Sequence, residues 1–225
     1  MASQSSTHLY RILSFRHVVS LFESRELYFA PPGAWDDPYE KVLVHKRSHT
    51  FFAQCWCKKA VSDAMWRIYS PDRASLRIRT SRSKLSRALK CANEAGNFGY
   101  LVNDVEYLRS SDVDARISQI AKDLRATYDS RRAADALLVK RDAFDHEAEV
   151  RVIVHDKIAE DDSKPKPALR VPIDPHLLVE SIFFDPRADE AFVRMCTYYL
   201  QEAVKFKRQI ATSALYKIRD PVVVE

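Results

Sequence analysis

Apolar residues recur at every second position in several short runs of this chain, and at every third or fourth position between them. That mixture predicts strands interleaved with helices. Residues 9–13 read as a first strand and Phe15–Ser24 as a helix with Val18, Val19, Leu21 and Phe22 on its apolar side. Residues 26–30 read as a second strand, stopped by Pro31-Pro32-Gly33. Strands are predicted next over residues 41–45 and Phe51–Cys57, followed by a short helix that Ser62 caps and that carries Met65, Trp66 and Tyr69 as far as Pro71. Ser75–Ser81 alternates as a strand, residues 83–95 read as a helix ending near Gly96, and residues 100–108 are strand-like. Residues 112–140 are predicted mainly helical, with a break near Asp129-Ser130. A strand from Glu149, a polar surface loop over 156–168, strands at 169–173 and Ser181–Phe184, a long helix over 187–206 and a last strand within 209–218 complete the pattern. Strands outnumber long helices and lack regular crossover helices between them. The expected class is therefore α+β, with mixed, mainly antiparallel sheets and flanking helices, rather than a doubly wound parallel sheet. A single domain over 1–225 is expected, its core at 8–185 and a C-terminal helix and strand at 186–225.

With 225 residues, 46% of them hydrophobic, the chain can bury a sizeable core. No run reaches the roughly 18 apolar residues of a membrane span, and residues 1–7 lack the apolar segment of a signal peptide. Both point to a cytoplasmic protein without a membrane partner. Cys55, Cys57, Cys91 and Cys196 are too irregular for a disulfide framework, and Cys55-Trp56-Cys57 lacks a second pair to complete a zinc site. The formal charge of +5 conceals an uneven distribution. Over residues 58–90, ten basic residues (Lys58, Lys59, Arg67, Arg73, Arg77, Arg79, Arg82, Lys84, Arg87 and Lys90) face two acids, Asp63 and Asp72. Such a field recruits phosphates, including those of DNA or RNA, although a solvated basic face accounts for it equally well. The three glycines form neither a P-loop nor a dinucleotide fingerprint, so side chains must hold any phosphate.

Two acidic-aromatic boxes stand out, Asp36-Asp37-Pro38-Tyr39-Glu40 and Glu147-Ala148-Glu149-Val150-Arg151. A strand from Glu149 puts Val150, Val152 and Val154 on one face and Glu149, Arg151, Ile153 and His155 on the other. Glu147 and Glu149, two apart, then share a face and repel unless a cation such as Arg151 intervenes. A structural ion-pair network of Glu149, Arg151 and Arg11 is one reading of this pattern. The first box reads as a proline-bearing turn that places Asp37 and Glu40.

Leu9-Tyr10-Arg11, Leu27-Tyr28-Phe29-Ala30-Pro31, the Asp36–Glu40 box, Met65-Trp66-Arg67-Ile68-Tyr69, and Lys140 with Glu147–Arg151 occur in an order and spacing that resembles a bacterial family of unknown function, number 2971. That family is marked by an L-Y-K/R-Y/F box, an N-D-P-F-E box, an M-W-x-x-Y box and a K-x-x-x-W-x-x-E-x-E-x-R box. Asp36 replaces its usual Asn, Tyr39 its Phe and Phe144 its Trp, and the glycine that often follows the M-W-x-x-Y helix is absent.

The order of an Arg on the first strand, a Ser/Thr-bearing middle strand and a Glu-x-Glu opening a late strand is in turn similar to ADP-ribosyltransferases of the Arg-Ser-Glu type. That resemblance implies NAD as substrate, gripped by Arg11, with Ser81 beside Thr80 as the middle element and Tyr10, Trp66 and Tyr69 lining a nicotinamide pocket. Glu149 would be the catalytic carboxylate and Glu147 would orient or deprotonate the acceptor, supported by Asp37, Glu40, Arg151 and Lys140. It further implies a macromolecular acceptor and a toxin or anti-phage role with a neutralising antitoxin partner. Two other classes stay open. One is a metal-dependent nuclease using Asp36, Asp37, Glu40, Glu147 and Glu149; the other is a non-catalytic nucleic-acid or nucleotide-binding module.

Overall fold

The computed structural model describes residues 8–161 and 165–217. Strand β1 (His8–Ser14) passes straight into helix α1 (Phe15–Ser24), where the Ser14 hydroxyl accepts from the His17 amide. Arg25 takes left-handed backbone and turns the chain into β2 (Glu26–Phe29). Then come β3 (Phe51–Cys57), α2 (Asp63–Tyr69), β4 (Ser75–Ser81), α3 (Arg82–Ala92), β5 (Phe98–Asp104) and β6 (Glu106–Leu108). After α4 (Ser110–Ala126) and α5 (Ser130–Asp135) follow β7 (Val139–Arg141), β8 (Glu149–Asp156), β9 (Leu169–Pro172), α6 (Pro175–Leu178), β10 (Ser181–Phe184), α7 (Glu190–Glu202) and β11 (Gln209–Thr212). The main sheet runs β11-β10-β4-β1-β3-β8-β5 and is antiparallel except between β10 and β11. Two short sheets, β2-β9 and β6-β7, flank it. The fold is mixed α+β with a mainly antiparallel sheet, as the alternation predicts.

Strand alternation divides the side chains between two faces. One face carries Leu9, Phe52, Trp56, Leu76, Ile78, Val150, Val152, Val154, Ile182 and Phe184 into the main core, beneath Leu21 and Phe22 of α1, Leu85 and Leu89 of α3 and Leu200 of α7. The other face holds Ile153, Phe51 and Ala53 against Ala133 and Ala134 of α5. Among its remaining positions, the polar Arg77, Glu149 and Arg151 and the neighbouring Tyr10 and Ile12 build the site.

The sheet has a seam. All seven residues of β1 pair with β4, and all seven of β3 pair with β8, but β1 and β3 meet at one pair only, Tyr10 with Cys57. Beyond it Ala30 takes over, exchanging both backbone hydrogen bonds with Ala53 at 3.2 and 2.8 Å. Two half-sheets are thus joined at one point and part below it.

Several predicted elements need correction. Residues 42–45 form no strand: a 3-10 turn ends at Lys41, and Val42 and Val44 stay exposed at 58% and 79%, so the apolar alternation there meets no partner. The helical reading of 112–140 overran into β7, which pairs in parallel with β6 and sets Lys140 on a strand. The 100–108 strand breaks at Val105, whose amide turns to the Glu149 carbonyl. The final strand is shorter than predicted, and its predicted end at Ile218 lies outside the described residues. Among the described residues no helix is long and apolar enough to cross a membrane.

Candidate active site

Where β1 and β3 part, a cavity of about 270 Å³ opens, lined by Tyr10, Arg11 and Ile12 from β1, by residues 53–57 of β3, by Met65, Trp66 and Tyr69 from α2, and by Trp35, Lys59, Arg77 and Glu149. Sequence order explains α2's position over it. Ser62 caps the helix by accepting from the Met65 amide at 3.3 Å, and Arg187, itself held by the buried Asp185 at 2.7 Å, donates to the Trp66 and Ser70 carbonyls at 3.0 Å. The seam also leaves backbone groups without a strand partner. Backbone N–H and C=O groups alternate in direction along an antiparallel strand. Ala53 turns its pair to Ala30 and Cys57 faces Tyr10, so Cys55, midway between them, points its N–H and C=O into the gap.

Beside the cavity lies a nearly dry charge cluster. Glu149, 5% exposed, accepts from Arg151 at 2.6 and 3.1 Å, and Lys140 stands 3.6 Å away. Lys140 also pairs with Glu147 at 2.5 Å, and the Tyr69 hydroxyl lies 3.4 Å from the other oxygen of Glu147. Arg151, 1% exposed, spreads its remaining donors to Glu40 and to the Leu137 carbonyl and stacks 4.2 Å from the Trp35 ring. Burial pushes the Glu149 carboxyl up, but Arg151, Lys140 and the Cys55 thiol outweigh it, so the group sits below the usual carboxylate range. Glu40 shifts the other way, because burial exceeds what Arg151 and Lys140 return. Cys55 is pushed to about 12 by burial and by Glu149, which keeps its thiol protonated and inert.

Glu147 and Glu149 do not share a strand face as expected. Glu147 ends a 3-10 turn (Asp142–Glu147), and Ala148 follows in left-handed backbone at φ 44° and ψ 52°, so the two carboxylates reach Lys140 from different elements. A Cβ in that conformation costs roughly 1–2 kcal/mol. Ala148→Gly should therefore raise stability by about 0.5–1 kcal/mol in urea unfolding, net of glycine's larger entropy cost, and Ala148→Val should lower it. Equal stabilities for all three would show that the turn relaxes.

Arg11 sits in the seam, lining the cavity, and among the described residues no hydrogen-bond or ion-pair partner reaches it. Burial draws its guanidinium down to about 10, partly countered by Cys55 and Tyr69, which leaves it charged at neutral pH. It takes no part in the Glu149–Arg151 network; Glu40 and Lys140 fill that place.

Tyr10, Arg11, Trp66, Tyr69 and Glu149 thus meet at one cavity, while Glu147, Lys140, Arg151 and Glu40 stand behind Glu149. Asp37 is further out, accepting from the Tyr39 amide at 3.1 Å and pairing with Arg141 at 2.9 Å, an architectural position. Ser81 does not line the cavity: it caps α3 by accepting from Lys84 at 3.3 Å, and Thr80 donates to Leu178 on the core side. Ser81→Ala should cost about 1 kcal/mol in unfolding and leave ligand affinity unchanged; a loss of affinity would return Ser81 to the site. The basic segment does not form one face. Lys58 and Arg82 pair with Asp104, Arg79 and Lys84 with Glu180, and Arg67 with Asp63, while Arg77 points into the cavity. Trp35, Cys55 and Tyr107, whose hydroxyl accepts from the Glu149 amide at 2.8 Å, were not foreseen. Their positions depend on the seam and on β6, which carry no local sequence signal. Among the described residues no group of three or more His, Cys, Asp or Glu side chains is arranged to hold a metal ion.

A family model described as a protein of unknown function (DUF2971) matches residues 65–152, the stretch from α2 to the start of β8 that includes both the Met65–Tyr69 and the Glu147–Arg151 boxes. No curated protein matches the chain. Among solved structures, DarT of Thermus sp. 2.9 in complex with NAD+ is similar at 12% identity and a TM-score of 0.42, over 94% of this chain and 98% of that one. The same protein in complex with ADP-ribosylated ssDNA is similar at 10% identity and a TM-score of 0.44, over 96% and 97%.

Proposed function

We propose that this chain is an NAD-dependent ADP-ribosyltransferase acting on a macromolecule in the cytoplasm, with nucleic acid as the favoured acceptor class. The observation that carries the reading is one cavity that joins an unpaired Arg11, the aromatic walls Tyr10, Trp66 and Tyr69, and a Glu149 held ionised. The residues suit such a substrate. Arg11 offers a planar fork to phosphate oxygens, the aromatic rings offer stacking surfaces, and the Cys55 backbone N–H and C=O match the donor and acceptor of a carboxamide. NAD supplies the ADP-ribosyl group and releases nicotinamide. Glu149, fixed by Arg151, accepts from a ribose hydroxyl and sets a negative charge beside the bond that breaks. Glu147, held by Lys140 and Tyr69, receives the acceptor's proton. Lys59, exposed beside the cavity, favours an anionic acceptor.

A metal-dependent nuclease is disfavoured because four of its five candidate carboxylates, all but Asp36, are already matched with cations: Asp37 with Arg141, Glu40 and Glu149 with Arg151, Glu147 with Lys140. The test is transfer from labelled NAD to single-stranded DNA, RNA or lysate. Labelled acceptor formed equally with and without chelator is expected, and no labelled product from any of the three overturns the reading. A toxin role predicts growth arrest on expression that Glu149→Gln relieves, and an antitoxin would restore growth alongside the intact chain.

A further inference from the structure

Arg77 is the one large buried charge of this cavity that the proposed mechanism leaves unused. It is 9% exposed, yet among the described residues no carboxylate, carbonyl or hydroxyl accepts from it, and its Nε is buried without a partner. Aromatic rings hold it instead: Tyr10 at 5.1 Å, Phe183 at 5.2 Å and Trp66 at 5.8 Å from the guanidinium carbon. The other buried arginine of this face, Arg151, is compensated by two carboxylates, and the half-buried Arg187 by Asp185. Burying a guanidinium without an anion is costly, and rings return only part of that cost. Alternation along β4 sends Arg77 to the cavity face while Leu76 and Ile78 enter the core, so its placement follows from strand register. Ile12, its partner across β1, lines the same cavity next to Arg11. Arg11, across from Ile78 on the other face of β1, borders both this cavity and a second pocket beside Leu13 and Trp56, so two guanidiniums without carboxylate partners among the described residues border one cavity.

We propose that Arg77 is a phosphate-binding residue, which together with Arg11 makes the cavity a two-arginine site for a diphosphate. As a statement about NAD this rests on the transferase reading; as a statement about diphosphates it does not. The rings hold the guanidinium rigidly, so its planar fork meets phosphate oxygens with little ordering cost.

The experiment is titration calorimetry of ADP, adenosine and nicotinamide against the wild type, Arg77→Met and Arg77→Lys, alongside labelled-NAD consumption by the wild type. Losing a charge-assisted pair of hydrogen bonds should weaken ADP by about 10- to 100-fold in Arg77→Met and change adenosine and nicotinamide by much less than ADP. Arg77→Lys should fall between, since an ammonium keeps the charge and loses the fork. If Arg77→Met does not fold, the ratio of ADP to adenosine affinity in Arg77→Lys carries the test. A ratio unchanged from the wild type in the folded variants, or a wild type that binds no ADP, overturns the assignment. A wild type that binds ADP in an Arg77-dependent way but leaves NAD unconsumed keeps the phosphate site and removes the transferase.

Discussion

Glu149→Gln should lower kcat for transfer from labelled NAD by about 10²–10³-fold or more while changing KM for NAD little. The substitution keeps the shape of a side chain that lines the cavity and removes only its charge. Arg151 keeps Glu40 and the Leu137 carbonyl, so the backbone around β8 has no reason to move. The pH dependence follows from the depressed carboxyl of Glu149. Its folded value lies below the unfolded one, so the stability it contributes is fully present above the ordinary glutamate value of about 4.3 and disappears as pH falls through the lower folded value. Wild-type activity should accordingly show no acid limb from this residue between about pH 5 and 8, and Glu149→Gln should lose part of the acid sensitivity of stability. The decisive readout is the split between kcat and KM at constant pH. A variant within ten-fold of wild-type kcat would remove Glu149 from the reacting atoms, whatever else the cavity binds.

Much of the scaffold is legible because short apolar or alternating runs are bounded by turn residues, even where the strand is buried on both faces. Ser75–Ser81 falls where its alternation predicts, Phe51–Cys57 and Ser181–Phe184 where their apolar runs do, and Phe15–Ser24 follows its helical period. The exposed Val42 and Val44 misled because period-two hydrophobicity indicates a strand only when a partner edge exists. Lys140 was legible as a motif residue but not as a strand residue, since three residues of β7 are too few to show a period against the helices before them. Arg77 shows the deeper limit. In the sequence it is one of ten basic residues spread over 58–90; only the register of β4 against β1 separates it from neighbours that find Asp104, Glu180 or Asp63. The seam itself rests on Ala30 replacing β1 beside Ala53, a long-range substitution that no local pattern encodes.

Arg151→Ala should be the most damaging substitution outside the apolar core, with a loss of about 3–5 kcal/mol in urea unfolding. The reason is not that the ion pairs are individually strong. Removing the guanidinium leaves Glu40 and Glu149 facing each other with Lys140 as their remaining cation, strands the Leu137 carbonyl and uncovers the Trp35 ring. Glu40, whose carboxyl burial already holds above its ordinary range, should then take up a proton first, so part of the loss should be recovered on acidification. The sign differs from that of Glu149: a group with a raised folded value binds its proton more tightly when folded and gains stability as pH falls. Arg151→Met combined with Glu40→Gln separates the charge from the volume. If stranded carboxylates dominate, the double variant should recover about half of what Arg151→Met alone loses, because filling the space and neutralising one acid leaves Glu149 to Lys140. If the single Ala variant loses less than about 1 kcal/mol, the cluster is not organised around Arg151, and the fixed orientation of Glu149 that the proposed transfer requires must come from Lys140 and the Tyr107 hydroxyl instead.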